Sequence, residues 1–232
     1  DYGLPQDKLD ADIDFILSTG IEVHTGVSIG RDISFAEIEN QYDAVYISIG
    51  AHNDKKIGIP GEDAVGVHSA VQLLRDIGEG RVPDFKGKRV CVIGGGNVSM
   101  DATRTAIRLG ASAVTCVYRR RVTDMTALAE EIEEAQSEGC QILSLQAPDH
   151  IETDETGRVT ALWTRPQVIG AYGKDGRPRP YDADQPLLRT PCDVVIVAIG
   201  QSIDAKPFEQ IAPVVRGKIQ AESDAFVPNT PH

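Results

Sequence analysis

The stretch KGKRVCVIGGGNVSMDATRTAIRLGASAVTCVYRRR, residues 86–121, decides the fold. An apolar run at 89–93 predicts a buried strand, and the three glycines that follow it predict a tight turn. Apolar residues then recur at helical spacing from Asn97 until Gly110, a residue typical of a helix end. A second apolar run at 113–118 completes a strand, glycine turn, helix and strand within about the 30 residues of a βαβ unit.

This glycine turn has the chemistry of a dinucleotide site. The first glycine permits the tight turn, the second lets a pyrophosphate approach main-chain N–H groups, and the helix N-terminus adds partial positive charge. Ser99 stands at the third glycine position, where a small residue still allows close packing of helix on strand. A glycine-rich turn that binds no ligand is the alternative. The residues predicted to bind the cofactor here are Gly94, Gly95, Gly96, Asn97 and Val98.

The residues after the second strand predict which dinucleotide binds. An NAD site has an acidic residue there, which accepts hydrogen bonds from the ribose 2′-hydroxyl. Here Tyr118 is followed by Arg119, Arg120 and Arg121, and the first acidic residue is Asp124. Guanidinium groups pair with a 2′-phosphate, which a carboxylate would repel. We therefore predict NADP(H) rather than NAD(H), held by Arg119 and Arg120; solvated surface arginines are the alternative.

Composition excludes several classes of protein. The 232 residues are 41% hydrophobic and 25% charged, as in ordinary globular proteins rather than disordered or fibrous ones. Lys and Arg total 23 against 35 Asp and Glu, and this net charge of -12 argues against nucleic-acid or anionic-membrane partners. No apolar run approaches the length of a membrane helix, and no signal peptide is recognised. We expect a cytoplasmic protein whose four widely spaced cysteines are buried, reduced and not metal ligands.

The rest of the chain alternates between helical and extended patterns, which predicts an α/β fold. Helices are predicted at 9–17, after Ser34 with a capping box to Glu37, at 69–78 and around 128–135. Extended segments are predicted at 21–29, 43–51, 140–148 and 193–201, with a hairpin at 150–166 and an exposed, mobile loop at 170–186.

Two segments, 42–51 and 192–201, share an apolar pattern that ends at a glycine. One interpretation is that both strands belong to one sheet and that the residues between them form an inserted domain. The alternative is that any two buried strands look alike. The first interpretation predicts a domain at 52–190 between two segments of another domain, 1–51 and 191–232.

The motifs together resemble the small (beta) subunit of glutamate synthase and related NADPH-dependent flavin oxidoreductases, including part of dihydropyrimidine dehydrogenase. The segments that carry the resemblance are VIGGGNVSMDATRTAIRLGA (92–111), VTCVYRRR (114–121), IPGE (59–62), ISIGA (47–51) and VAIGQ (197–201). The resemblance implies a Rossmann-like NADP domain inserted into an FAD domain. It also implies hydride transfer from NADPH to FAD, iron–sulfur clusters that carry electrons onward, and an electron-accepting partner subunit.

The resemblance also implies roles for single residues. Gly94, Gly96 and Asn97 would hold the pyrophosphate, Arg119 and Arg120 the 2′-phosphate, and Gly50, Ala51, Gly200 and Gln201 would lie near the cofactor channel between domains. The family's Cys-rich iron–sulfur region and FAD fingerprint are not recognised in the sequence, nor is the Gly-Asp flavin motif expected after 225–231. We therefore expect a middle piece of a longer protein, with FAD and possible iron–sulfur clusters in the full-length parent. The lack of a CxxC motif argues against disulfide reduction.

The predicted function is the NADPH-binding portion of a flavin-dependent oxidoreductase. Because the hydride chemistry would belong to nicotinamide and flavin, no catalytic acid or base is assigned. His24, His52, His68 and His150 show no recognisable pairing. A non-catalytic NAD(P)-sensing regulatory module is the alternative.

Overall fold

The computed structural model describes residues 4–173, 176–209, 211–215 and 217–221. The chain divides into two compact units, Gly50–Asp204 and Asp1–Ile49 with Ala205–His232. Which nucleotide each unit binds stays a prediction, as does the assignment of residues 52–190 to an inserted NADP domain.

A five-stranded parallel sheet organises the larger unit. Its strands are β2 (Val67–Ser69), β3 (Arg89–Ile93), β4 (Ala113–Tyr118), β5 (Gln141–Ser144) and β10 (Val194–Val197). They lie in the order β2-β10-β3-β4-β5, and every neighbouring pair is parallel. The helices of this unit are α3 (Ala70–Gly78), α4 (Asn97–Arg108) and α5 (Ala129–Ser137), with a 3₁₀ turn at Val122–Asp124. The α/β class and the parallel sheet predicted from the sequence are confirmed.

The parallel sheet is buried on both faces, so its strands are apolar throughout. On β3, Val90 and Val92 pack against the helices, with Ala102 and Ala106 of α4. Cys91 and its neighbours on the opposite face pack in a second cluster that includes residues of the antiparallel strands described next. Full burial of one such valine contributes about 1.5–3 kcal/mol relative to exposure.

An antiparallel sheet covers that second face. Its strands are β6 (Gln146–Thr153), β7 (Val159–Tyr172), β8 (Pro178–Asp182) and β9 (Leu188–Pro191), and β7 pairs with the other three. The predicted hairpin at 150–166 is confirmed. Its turn is closed by the Asp154 N–H, which donates to the Arg158 carbonyl at 2.9 Å.

The predicted loop at 170–186 is wrong, because β7 and β8 extend into it as a hairpin. Proline is tolerated in β8 because this strand lies at an edge of the sheet. The predicted strand at 140–148 is in fact two strands in different sheets. Leu145 separates them with a positive φ of 57°, and its N–H donates to the Arg120 carbonyl at 3.0 Å. A short antiparallel pair, β1 (Asn53–Asp54) with β11 (Gln201–Ser202), completes the unit.

The smaller unit holds two helices and one short strand pair among its described residues. They are α1 (Gln6–Leu17), α2 (Phe35–Gln41), β12 (Val214–Val215) and β13 (Lys218–Ile219), with a 3₁₀ turn at Lys206–Phe208. The predicted capping box is confirmed, since the Glu37 N–H donates to Ser34 Oγ at 3.2 Å and the Ser34 N–H donates to the Glu37 carboxylate at 2.8 Å.

The predicted buried strand at 43–51 is wrong. No strand forms there, and Tyr46 is 91% exposed. An apolar run becomes a strand only where a neighbour pairs with its backbone, and the described residues place none beside it. The segment 21–29 likewise forms no strand beyond a single bridge between Ile29 and Ile33. The segment 225–231 lies outside the described residues.

Two further observations bear on class. All four cysteines are buried and free, as predicted. Among the residues that the structure describes, no helix combines the length and apolarity that a membrane crossing requires.

Candidate nucleotide-binding site

A cavity of about 590 Å³ opens at the carboxyl ends of β3, β4 and β10, entirely within the larger unit. Open α/β sheets bind ligands in the crevice outside the carboxyl ends of their strands, and the volume lies in the usual range for small-molecule sites. Three segments, 94–98, 117–120 and 198–201, provide most of its wall. The remaining lining residues are Asp54, Ile57, Ala70, Val71, Ile93, Thr126, Pro148 and Arg177.

The glycine turn after β3 is shaped by two close approaches. At Gly94, φ is +153° and a Cβ atom would lie 2.3 Å from the Ala198 carbonyl oxygen. At Gly95, a Cβ atom would lie 2.5 Å from the ring of Tyr118. These two glycines therefore let the turn sit directly against β10 and against the end of β4.

Helix α4 begins directly after this turn. Gly96 is its N-cap residue, and the Gly96 N–H donates to Ser99 Oγ at 3.3 Å. Ser99 is fully buried, so the third motif position serves close packing, as the sequence predicted. Within the described residues, no hydrogen bond uses the main-chain N–H groups of Gly95, Asn97 or Val98. Such donors, with the positive end of the helix dipole, have the chemistry that suits an anion.

The loop after β4 is fastened to the glycine turn. The Thr126 and Ala127 N–H groups both donate to the Gly95 carbonyl, at 2.9 and 3.1 Å. The Leu128 N–H donates to the Asn97 side-chain oxygen at 3.0 Å. The Asn97 amide therefore holds the loop in place, a contact that the sequence did not predict.

The three consecutive arginines have three different environments. Arg119 is exposed and lines the cavity. Arg120 also lines it but is only 8% exposed, and its Nε donates to the Pro178 carbonyl at 2.8 Å. Arg121 does not line the cavity, and its guanidinium makes two hydrogen bonds to Asp124, at 2.8 and 2.9 Å.

The Asp124 carboxylate is therefore neutralised where it lies. The Arg121 guanidinium holds the pKa of Asp124 below its ordinary value, and burial opposes this effect. The Asp124 carboxylate, and after it the Tyr172 side chain, raises the pKa of Arg121. The acidic residue nearest in sequence to β4 is thus paired away from the cavity wall.

Arg177 is the arginine of the cavity wall that sequence reasoning missed. It lies on the β7–β8 hairpin, and its Nη2 donates to Tyr118 Oη at 2.9 Å and to the Asp124 carbonyl at 3.3 Å. Tyr118 Oη in turn donates to the same carbonyl at 2.8 Å. The Asp-Gly dipeptide at 175–176 is a hairpin signal that could have indicated paired strands there, although not where they dock.

All the predicted site residues except Gly50 and Ala51 line this one cavity. Gly200, directly before β11, and Gln201, the first residue of β11, lie on its wall, whereas Gly50 and Ala51 lie in the segment before β1. The sequence indicates no role for His24, His52, His68 and His150, and these four histidines do not line the cavity. His150, for example, hydrogen-bonds Asp149 at 2.8 Å and stacks on Trp163 of the antiparallel sheet.

Comparison with known proteins places the chain in a family. The sequence model described as pyridine nucleotide-disulphide oxidoreductase matches residues 6–227. The chain belongs to the pyridine nucleotide-disulphide oxidoreductase family. Similar proteins include the beta subunit of the NADP(+)-dependent formate dehydrogenase of Moorella thermoacetica, which is 36% identical over 88% of this chain. The glutamate synthase [NADPH] small chain of Halomonas elongata is 33% identical over 96% of this chain, which confirms the resemblance seen in the sequence.

The family fold extends to solved structures. FprA of Mycobacterium tuberculosis, solved in complex with NADPH, superimposes with a TM-score of 0.67 and 21% identity, over 84% of this chain and 59% of that one. The chain spans 29% of the length of the formate dehydrogenase subunit and 50% of the glutamate synthase chain.

Proposed function

We propose that this chain is the NADP(H)-binding portion of a flavin-dependent oxidoreductase of the glutamate synthase small subunit type. The observation that carries the proposal is that the glycine turn, the N-terminus of α4 and the Arg119 guanidinium all line one cavity. Bound there, NADPH would supply a hydride from its nicotinamide ring to a flavin.

The pyrophosphate is proposed to lie against the main-chain N–H groups of Gly95, Asn97 and Val98. Three N–H donors at the N-terminus of a helix, two in its first turn and one just before its N-cap residue, suit an anion, because each would otherwise need another partner and the helix dipole adds positive charge. Gly96 leaves the approach to the backbone open, because it has no side chain.

The 2′-phosphate is proposed to pair with Arg119. The chain places no acidic residue directly after β4, and Asp124 is engaged by Arg121. A 2′-phosphate at this position would therefore meet positive charge and no carboxylate to repel it. A ribose 2′-hydroxyl, by contrast, would lack the acidic acceptor of an NAD site.

The nicotinamide is proposed to lie toward Gly200 and Gln201, at the part of the wall that follows β10. The relatives support the cofactor assignment, since the names of two of them specify NADP(+) or NADPH. Both are named as a subunit or a chain, so we further propose that the whole protein passes electrons to a partner subunit.

The first test measures binding of NADPH and NADH to the chain by isothermal titration calorimetry. We expect tighter binding of NADPH, and Arg119→Ala should weaken it about ten- to a hundredfold while leaving NADH affinity within about twofold. Arg179→Ala is the matched control, because Arg179 is an exposed arginine of β8 that does not line the cavity. Equal affinity of the wild type for both dinucleotides would refute the assignment.

The second test addresses hydride transfer in the whole protein. Mixing with NADPH under anaerobic conditions should bleach the flavin absorbance, with a kinetic isotope effect when the transferred hydrogen of NADPH is deuterium. A whole protein that binds NADPH but holds no flavin would instead support an NAD(P)-sensing module.

A further inference from the structure

We propose that Arg177, 58 residues beyond Arg119 in sequence, is a second specificity-determining residue for the 2′-phosphate, and that Arg120 is a positioning residue for it. This inference rests on the proposed function, because it assigns residues to the adenosine end of the same cavity. It differs from the sequence prediction, which gave the phosphate to Arg119 and Arg120.

The position of Arg177 supports this role. It lines the cavity together with Arg119, Tyr118 and Thr126, at the end of the cavity formed by β4 and the loop that follows it. A guanidinium presents five N–H donors in a rigid, planar arrangement. Two of these N–H groups can donate in parallel to two oxygens of one phosphate. The two hydrogen bonds from Arg177 Nη2, to Tyr118 Oη and to the Asp124 carbonyl, fix the plane of the group beside the wall.

Arg120 fixes the main chain next to Arg177. Its Nε donates at 2.8 Å to the carbonyl of Pro178, the residue that directly follows Arg177, and Arg120 is 92% buried while it does so. A buried guanidinium requires hydrogen-bond acceptors, so this contact is strongly specified. The Gly173 N–H, which donates to the Arg177 carbonyl at 2.8 Å, holds the other side of the hairpin. Arg120 therefore acts on the phosphate site through the hairpin.

Arg121 is engaged within its own loop, where its guanidinium hydrogen-bonds Asp124. The three arginines after β4 thus have distinct contacts. Arg119 lines the cavity, Arg120 also holds the hairpin that brings Arg177 to it, and Arg121 pairs with Asp124.

The glycine turn takes part through Tyr118. The Tyr118 ring lies against Gly95, where a Cβ atom would lie 2.5 Å from the ring, and its hydroxyl accepts from Arg177. The proposed pyrophosphate and 2′-phosphate contacts are therefore connected through a single aromatic side chain.

The test compares Arg177→Ala with Arg179→Ala, which replaces an exposed arginine two residues further along the same hairpin that does not line the cavity. Calorimetry with NADPH, NADH, adenosine 2′,5′-bisphosphate and 5′-AMP separates the contribution of the 2′-phosphate from that of the rest of the ligand. We expect Arg177→Ala to weaken binding of the two 2′-phosphorylated ligands about tenfold and of the other two by less than about twofold. Arg179→Ala should change none of them.

Two further variants separate recognition from folding. Arg177→Lys keeps the charge but loses the planar fork, so it should recover part of the lost affinity. Arg120→Met removes the contact to Pro178 and should lower affinity for adenosine 2′,5′-bisphosphate more than for 5′-AMP. Thermal unfolding of each variant identifies any general loss of structure.

The outcomes distinguish this inference from the proposed function. A wild type that prefers NADPH, with an Arg119→Ala variant that loses the preference and an Arg177→Ala variant that keeps it, would overturn the role of Arg177 alone. Equal weakening of all four ligands by Arg177→Ala would show a structural role and would also overturn it. A wild type without any preference would contradict both proposals.

Discussion

The glycine turn gives the sharpest prediction, because two adjacent glycines have opposite surroundings. In Gly95→Ala, the new methyl carbon would lie 2.5 Å from one carbon of the Tyr118 ring and 2.6 Å from another. Carbon atoms pack best at about 3.5–4.0 Å, so the ring must move by about 1 Å. Tyr118 is only 7% exposed, and its hydroxyl hydrogen-bonds the Asp124 carbonyl and Arg177, so the ring has little room to move.

The expected magnitude follows from these contacts. Overpacking of a buried site costs about 1–3 kcal/mol. Loss of the Tyr118 hydroxyl contacts adds about 1 kcal/mol. We therefore expect Gly95→Ala to lower the free energy of unfolding by about 2–4 kcal/mol, or the melting temperature by about 5–15 °C for a chain of this size.

Gly96→Ala is the matched control. Its φ is -107°, which any residue adopts, and a Cβ atom would meet only Thr126 Oγ1, at 3.4 Å. We expect this variant to lose about 1 kcal/mol or less, yet to bind NADPH more weakly, because a methyl group crowds the proposed approach of the pyrophosphate. Urea unfolding followed by circular dichroism, with calorimetry of NADPH binding, measures both effects. If Gly95→Ala is as stable as Gly96→Ala, the packing argument at Tyr118 is wrong.

Two other predictions concern ion pairs within the larger unit. Arg104 is 6% exposed and pairs with Glu131 and Glu138, at 3.1 and 2.9 Å, so Arg104→Met should lower the free energy of unfolding by about 2–3 kcal/mol in urea unfolding. Arg108→Met, which removes a half-exposed partner of Glu138, should cost less than about 1 kcal/mol, and equal losses would contradict the reasoning. The Arg89 guanidinium holds the pKa of Asp193 below its ordinary value. A carboxyl whose pKa is lowered in the folded protein stabilises the fold at pH values above its unfolded-state pKa of about 3.9. The free energy of unfolding of the wild type should therefore exceed that of Asp193→Asn by about 1 kcal/mol at neutral pH. That difference should shrink as the pH falls below about 4 and vanish once the pH is below the lowered pKa of the native carboxyl. A difference that keeps its neutral-pH size in strong acid would contradict the assignment.

The unit from β3 to β4 could be predicted closely because its signals are local. The bounds of β3 at Arg89–Ile93 and of β4 at Ala113–Tyr118 agree with the apolar runs in the sequence, and α4 begins at Asn97 as expected. Continuous apolar runs, glycines and helical spacing all act within a few residues of the backbone that they shape, so these elements could be predicted without knowing a distant partner.

The strands that depend on distant partners were predicted poorly. The apolar segment 43–51 has the composition of a buried strand but forms none, whereas the Gly- and Pro-rich segment 170–186 pairs as part of β7 and β8. Whether a segment forms a strand depends on the strands that pair with it in the sheet, and the composition of the segment does not identify those strands. The break at Leu145 was invisible for a related reason, because the apolar run continues across a residue with φ of 57°.

The arginine triplet shows most clearly where sequence reasoning about the site ends. A run of three guanidiniums after β4 indicates a phosphate site, but the count says nothing about which of them faces the cavity. After β4, Arg119 is exposed, Arg120 is buried with its Nε donating to the distant Pro178 carbonyl, and Arg121 is paired with Asp124 in its own loop. In our proposal the charge at the 2′-phosphate is restored by Arg177, which the β7–β8 hairpin supplies from 58 positions beyond Arg119. On this proposal, the number of arginines after β4 does not equal the number that contact the 2′-phosphate in this chain, because the hairpin supplies one of them.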